Sequence, residues 1–350
     1  MKKILFTGGG SAGHVIPNVA LMEELISQGK TDVCYMGTAG IEKTIVTERK
    51  IPFYTISCPK LVRGKNLSAI KNNLRIPFTF KQAVKEAEKG LTLFRPDLVF
   101  SKGGYVALPV IFAAKKMGIP CIAHESDFSL GLANRLSAKK CKTVLTAFPE
   151  TAKGLKNGKY GGAPIRRSVL SANREEERKK LGLSNKQKVL LVFGGGSGSK
   201  AINEALRSRL SSLTKKYYIL HVCGKGNAVE NTFKNYRQIE FATDMGSLYA
   251  SSDLVISRAG AGTVFELLAL KKPSLLIPLA GATRGDQKQN AEYFHAKGLC
   301  RVLPQERLER LEEEIDAAFL DKEMKERLLE SNYAQGNSRI LNEINAHLYE

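Results

Sequence analysis

The chain has 350 residues, 43% hydrophobic and 25% charged, which suits a soluble globular protein of about two domains whose cores need neither metal nor disulfide support. Lys and Arg number 54 against 34 Asp and Glu, a net charge of +20 that sits mostly in the first half: residues 1–165 carry 25 basic against 11 acidic side chains, residues 166–350 carry 29 against 23. Six cysteines with no C-x-x-C pair, no apolar run of about 18 residues and no signal-peptide pattern at the N-terminus exclude a disulfide framework and a membrane span, and lead us to expect a cytoplasmic protein.

The first predicted element is the strand Ile4-Leu-Phe6, which runs through Gly8-Gly-Gly-Ser-Ala-Gly13 into a helix. Such a turn gathers backbone N–H groups at a helix start, where aligned peptide dipoles favour an anion. Gly8, Gly10 and Gly13 also have the spacing of a dinucleotide fingerprint. A dinucleotide site normally adds an acid about 20 residues on, at the end of the second strand, to take the ribose hydroxyls. Here the second run, Asp32-Val-Cys-Tyr-Met-Gly37, has its acid at its start, and Glu42 lies further out, on the next helix. NAD is therefore not expected, and His14, directly after the last glycine, needs another explanation.

Further short apolar runs follow at Phe53–Ile56, Leu98–Phe100, Cys121–Ala123 and Thr143–Thr146, separated by helix-length polar stretches. This is the pattern of parallel strands buried on both faces. Tyr160-Gly-Gly-Ala-Pro-Ile-Arg166 reads as a linker, after which the pattern restarts at Val189–Phe193, Tyr218–Val222, Ile239–Phe241, Leu254–Ser257 and Ser274–Ile277, again opening with strand, glycine turn (Gly194–Ser199) and helix. We expect an α/β protein of two Rossmann-like, doubly wound parallel-sheet domains, 1–162 and 163–334, facing one another across a cleft. Met324 to Leu348 reads as helical, and its last part, about 335–350, is expected to pack back on the first domain.

Several catalytic plans are missing: there is no H-E-x-x-H, no zinc-spaced Cys/His set and no P-loop. Polar residues cluster instead where strands end. Ser101-Lys-Gly-Gly-Tyr105 follows the fourth run, and His124-Glu-Ser-Asp127 with Gly131-Leu-Ala-Asn134 follows the fifth. In the second half Ser257-Arg-Ala-Gly-Ala-Gly-Thr263 leads into a helix that Thr263 is expected to cap, with Glu266 one turn in. Glu266 suits either the helix dipole or a pair of ribose hydroxyls. The stretch Gly281-Ala-Thr-Arg-Gly-Asp-Gln-Lys-Gln-Asn290 offers amides suited to a sugar.

Taken together and in order, Gly8–Pro17, Ser101–Val106, His124–Asp127 with Gly131–Asn134, Ser257–Gly260 with Glu266, and Arg284-Gly-Asp-Gln-x-x-Asn-Ala291 resemble the MurG family, in its Gram-positive form. The resemblance implies a GT-B fold and an inverting transfer of N-acetylglucosamine from UDP-GlcNAc, held by the second domain, to an undecaprenyl-linked muramyl-peptide acceptor on the first, with no cofactor and no metal. It places Glu266 on the ribose, the Ala242 backbone on uracil, Gln287 and Asn290 on the sugar hydroxyls and Arg166 beside the donor. Ser11, Ala12 and Gly13 would face the diphosphate and sugar. Asp127, Asn203, Arg258, Ala261, Gly262 and Thr263 complete the implied donor side, and Gly103, Gly104, Tyr105 and Asn134 the acceptor side. The family's usual serine in the second glycine turn falls here on Gly196; either Ser197 substitutes from one position along or backbone amides alone hold the diphosphate.

An inverting transfer needs a base for the acceptor hydroxyl. His14, with an ordinary pKa near 6.5, is the first candidate, the alternative being a capping or packing role, and His124 is the second. A lipid acceptor also requires a membrane face. Residues 60–81 interleave basic residues with Leu, Ile and Phe, as an interfacial surface for anionic lipid would, so a peripheral place on the cytoplasmic face is expected. Rival readings are a glycolipid synthase, a UDP-GlcNAc 2-epimerase and a basic nucleic-acid-binding protein; nucleic acid is not expected as a partner, because such a protein more commonly interleaves aromatic stacking residues with its basic ones and has no need of twin glycine-turn domains with Glu266 and Gln287 on a cleft.

Overall fold

The computed structural model describes residues 1–60, 73–279, 281 and 285–349. The chain forms two compact units, one of Met1–Pro164 with Gln335–Glu350 and one of Ile165–Ala334. Among the described residues no helix is long and apolar enough to cross a membrane.

The first unit is built on a seven-stranded sheet of β1 (Lys2–Thr7), β2 (Thr31–Gly37), β3 (Phe53–Thr55), β4 (Leu98–Ser101), β5 (Cys121–Glu125), β6 (Thr143–Thr146) and β7 (Gly158–Tyr160), in the order β3-β2-β1-β4-β5-β6-β7. Every adjacent pair is parallel. Successive side chains of a strand point to opposite faces, so continuous apolar runs feed two cores. Ile4, Phe6, Val33, Tyr35, Leu98 and Phe100 enter one, with Val15, Val19 and Leu25 of helix Ala12–Ser27. Leu5, Cys34, Met36 and Val99 enter the other, with Ala87 and Leu91 of helix Ile76–Phe94 and Val110 and Ala114 of helix Ala107–Lys116. The C-terminal helix Gly336–Tyr349 returns to the first core through Ile340, Leu341, Ile344 and Leu348, each worth roughly 2 kcal/mol in burial.

The second unit repeats the plan in a six-stranded parallel sheet of β8 (Val189–Phe193), β9 (Tyr218–Val222), β10 (Tyr236–Ile239), β11 (Leu254–Ser257), β12 (Ser274–Leu276) and β13 (Arg301–Val302), in the order β10-β9-β8-β11-β12-β13. Leu190, Val192, Ile219, Leu254 and Ile256 pack against Ile202 and Leu206 of helix Lys200–Arg207 and Leu311 and Ile315 of helix Leu311–Leu320. In both sheets the strand order reverses beside the first strand, and ligands of open parallel sheets bind at the carboxyl ends there.

Four local expectations change. β7, three residues long, occupies part of the stretch read as linker, and β13, two residues long, carries no apolar run. The run Ile239–Phe241 is displaced: Tyr236–Ile239 pairs with Ile219–Val222, and Phe241 is exposed. Met324 to Leu348 is two helices, Lys322–Glu330 and Gly336–Tyr349, and the chain passes from the second unit to the first between them.

Candidate functional site

In the first unit the turns after β1 and β4 interlock. Gly104 has φ +79°, and a Cβ there would run into the Gly9 carbonyl, while the Tyr105 ring occupies the space beside Gly10 that a side chain would need. Ser11 and His14 project from the first turn, with Ser11 Oγ 2.8 Å from His14 Nδ1. Ser11 and Gly13 are exposed, and Ala12 and His14 half-buried. Burial, reinforced by the Lys102 ammonium and opposed by Asp127 and Glu42, pushes the His14 pKa down to about 4. The imidazole is neutral at physiological pH, with a lone pair available, and it is a weaker base than its ordinary value of 6.5 implies.

His124 is not placed to act as a base. It is fully buried, its Nε2 donates to the Gly162 carbonyl at 2.7 Å, and Nδ1 therefore accepts from Lys102 Nζ at 2.7 Å. Burial and Lys102 hold its pKa well below the usual histidine range. Lys102, itself buried and pushed down to about 8 by desolvation, also donates to Ser126 Oγ. The next residue organises the following loop: Glu125 accepts from Asp127 N at 3.1 Å, Gly131 N at 2.7 Å and Asn134 Nδ2 at 2.9 Å. Asn134, expected on the acceptor side, is 3% exposed and braces His124 and Glu125 from inside, against Gly103. Asp127 and Tyr105 are half-buried beside them.

In the second unit three helix starts converge on a cavity of about 460 Å³: Ser199, Lys200 and Ala201, then Gly260 and Thr263, then Gln287, with Gly194, Gly195, Gly198 and Arg258 completing the wall. Gly198 has φ +78°, and a Cβ there would meet the Cys223 carbonyl, which fixes how tightly the turn closes. That carbonyl is held in turn by a buried relay: Tyr236 Oη donates to His221 Nδ1, His221 Nε2 to Asn203 Oδ1 and Asn203 Nδ2 to Cys223 O, at 2.8, 2.9 and 2.8 Å. Asn203 thus shapes the turn from below and is not among the residues that line the cavity. Gly196 and Ser197 stand exposed at its tip, and a Cβ on Gly196 would meet nothing within 4 Å.

Arg258 lines the cavity with a side chain already spent. Its guanidinium donates to the Ile277 and Pro278 carbonyls, to Ser199 Oγ at 2.8 Å and to Gln305 Oε1 at 2.6 Å, clamping the glycine turn to the end of β12. Thr263 does not cap its helix: Gly260 holds that position, and Ala261 and Gly262 form the first turn. Asn290 is fully buried and donates to the Ala259 carbonyl at 3.4 Å, so it supports the turn before helix Ala261–Ala269. Gln287 is half-buried, its Oε1 accepting from Leu279 N at 3.0 Å. Ala242 lies half-buried in the loop after β10. Arg284 falls outside the described residues.

The pairing of Arg166 with Glu266 was not foreseen. Arg166 Nε and Nη2 reach the two carboxylate oxygens at 2.8 and 3.0 Å, and Tyr249 Oη donates to Oε2 at 3.2 Å. Burial raises the Glu266 pKa, with Arg166 and Tyr249 opposing. Oε2 accepts from both Arg166 and Tyr249, and Oε1 accepts from Arg166 Nε, so the pair orients Glu266 and leaves a lone pair on Oε1 for one further donor. Among the described residues no group of three His, Cys, Asp or Glu side chains gathers as a metal site.

Glycosyltransferase family 28 matches both units, its N-terminal domain over residues 4–146 and its C-terminal domain over residues 189–343. The chain is 44% identical over 337 residues to the UDP-N-acetylglucosamine--N-acetylmuramyl-(pentapeptide) pyrophosphoryl-undecaprenol N-acetylglucosamine transferase of Clostridium perfringens, covering 94% of this chain and 90% of that protein. It is 46% identical over 316 residues to the enzyme of the same description from Clostridium botulinum, covering 88% of each. Among solved structures it resembles MurG of Acinetobacter baumannii, with a TM-score of 0.76 and 26% identity over 99% of this chain and 100% of that one.

Proposed function

The chain belongs to glycosyltransferase family 28 and, within it, to the MurG enzymes, and from that premise we propose how its own residues carry out the transfer. The reaction moves N-acetylglucosamine from UDP-GlcNAc to the lipid-linked muramyl-peptide precursor of peptidoglycan on a GT-B scaffold. The observation that carries our reading is the cavity in the second unit, where a glycine turn and the starts of three helices meet. The UDP diphosphate lies there, on the amides of Gly194–Ser199 and the positive ends of the helices that begin at Lys200 and Ala261. Glu266 Oε1, with the carboxylate oriented by Arg166, accepts from a ribose hydroxyl, the Ala242 backbone pairs with uracil, and Gln287 donates to the sugar.

In the bond-making step the acceptor oxygen attacks the anomeric carbon as the bond to the diphosphate oxygen breaks. The hydroxyl proton passes to His14, and negative charge gathers on UDP. Preorganised dipoles that need not reorient stabilise that charge, so the account needs no metal and no cofactor. His14 suits the proton because Ser11 fixes its ring and burial keeps it neutral. Incubating the protein with sugar-labelled UDP-GlcNAc and lipid-linked muramyl peptide tests the assignment. Label in the lipid supports it; label that stays in nucleotide or free sugar sinks it.

The same reading gives the first unit a membrane face. Of the segment 60–81, residues 61–72 lie outside the described residues. The remainder presents Leu74 and Phe78, 71% and 79% exposed, beside Arg75 and Lys81. Phe80 packs edge-on against Phe112, over which Lys140 lies at 4.3 Å, and the neighbouring helix Leu132–Ser137 exposes Leu132, Leu136 and Arg135. Apolar side chains ringed by cations suit an anionic lipid surface at the cytoplasmic face. A partner nucleic acid is not part of this reading.

A further inference from the structure

Glu42 is 1% exposed, and its side chain reaches from helix Ile41–Thr47 back across the first glycine turn. Its Oε1 accepts from Thr38 N at 3.0 Å and from Thr38 Oγ1, and its Oε2 faces Gly10 N at 3.5 Å. The carboxyl is wrapped by residues without side chains. A Cβ on Gly9 would lie 2.7 Å from Oε1, one on Gly37 2.9 Å from Cγ, and one on Gly40 3.2 Å from Oε2. A pocket of backbone amides and bare glycines beside a β–turn–α start is where folds of this kind seat a phosphate. In this chain that pocket already holds an anion, supplied by its own sequence.

We propose that Glu42 is a specificity-determining residue: its carboxylate fills the first glycine turn at Gly9 and Gly10, denies that turn to a nucleoside diphosphate, and so confines the donor nucleotide to the second unit. Two like charges about 4 Å apart repel by roughly a thousandfold in affinity at the effective dielectric of a protein surface. A phosphate arriving at Gly10 would also have to displace the bonds from Thr38. The same clamp holds the turn from which Ser11 and His14 project. Two turns of nearly the same sequence, Gly8–Gly13 and Gly194–Ser199, therefore bind differently because only the first carries a built-in counter-ligand. The inference rests on UDP-GlcNAc binding in the second unit.

Calorimetric titration of the full chain with UDP, read together with backbone amide resonances, tests it. The unaltered protein should take one equivalent, moving amides of Gly195 and Ser199. Glu42→Gln, equal in size but uncharged, should take up a second, weaker equivalent of UDP or inorganic pyrophosphate that moves Gly9 and Gly10. Glu42→Asp, which keeps the charge, should still take one. If Glu42→Gln folds and binds only one equivalent, the inference is overturned. It is overturned independently of any variant if inorganic pyrophosphate shifts Gly9 and Gly10 in the unaltered chain already saturated with UDP. Should the single equivalent in the unaltered protein move the first-unit turn instead of Gly195 and Ser199, it is the donor assignment that fails.

Discussion

His14 is pulled in two directions: burial and Lys102 favour the neutral ring, whereas Asp127 and Glu42 favour the cation, and the first pair prevails. In the proposed role the working form is the neutral one, so activity should fall as pH drops through the folded pKa. The acid limb of kcat/KM is expected near pH 4, well below 6.5. A limb at 6.5 would mean that a less buried group is the base. His14→Gln should lower kcat by about 10² to 10⁴ while leaving the KM for UDP-GlcNAc within about threefold, because the proposed donor site lies in the other unit. Glu266→Gln acts in the opposite sense. It keeps the shape, removes the charge that Arg166 grips at 2.8 and 3.0 Å, and should raise the KM for UDP-GlcNAc by about tenfold or more. An unchanged KM would separate Glu266 from the ribose. At Gly196 a side chain meets nothing within 4 Å, so Gly196→Ser should fold normally and tighten donor binding if a hydroxyl at that position reaches the diphosphate.

The elements that shape the proposed donor site are turns held from beneath. Gly198→Ala would force a Cβ into the Cys223 carbonyl at φ +78°, opening the turn; the donor KM should rise sharply, and circular dichroism should show the fold retained. The relay from Tyr236 through His221 to Asn203 also ties this turn to pH. Burial and then Arg207 lower the His221 pKa to about 4, so the unfolded chain binds a proton there that the folded chain refuses. Stability is full above pH 6.5 and is lost as pH falls from 6.5 towards 4, by about 3 kcal/mol from this residue alone. His124, depressed in the same sense, adds to it. Urea midpoints measured from pH 7 to pH 4.5 should therefore decline, and His221→Gln should flatten the decline. Both sheets and most of the strands were legible in the sequence, because apolar runs buried on two faces leave a strong signal. β7 and β13 were not, being edge strands of three and two residues. The site was legible as positions more than as roles. A polar residue just past a strand end faces either the cavity or the sheet, and residue type does not say which: Gln287 and Arg258 stay at the cavity wall, whereas Asn203, Asn290 and His124 turn inward. Glu42 and Lys102 were passed over because an acid early in a helix and a lysine beside glycines look ordinary until their burial is seen.

For the whole molecule, charge and hydrogen-bond dipoles divide the work. The first half carries the greater positive excess, and its exposed Leu74, Phe78, Leu132 and Leu136 lie close in sequence to basic residues. Binding to anionic vesicles should weaken steeply with salt, and Phe78→Ser should reduce it without altering UDP affinity. Equal binding to neutral and anionic vesicles would remove the electrostatic half of that account. In the proposed arrangement the second unit holds UDP with backbone amides and helix starts, and among the described residues no cluster of metal-binding side chains gathers. Transfer of labelled N-acetylglucosamine to lipid-linked muramyl peptide, timed with and without excess EDTA, tests this most directly. The rate should be the same in both; a rate that collapses in chelator and returns with a divalent ion would contradict the account.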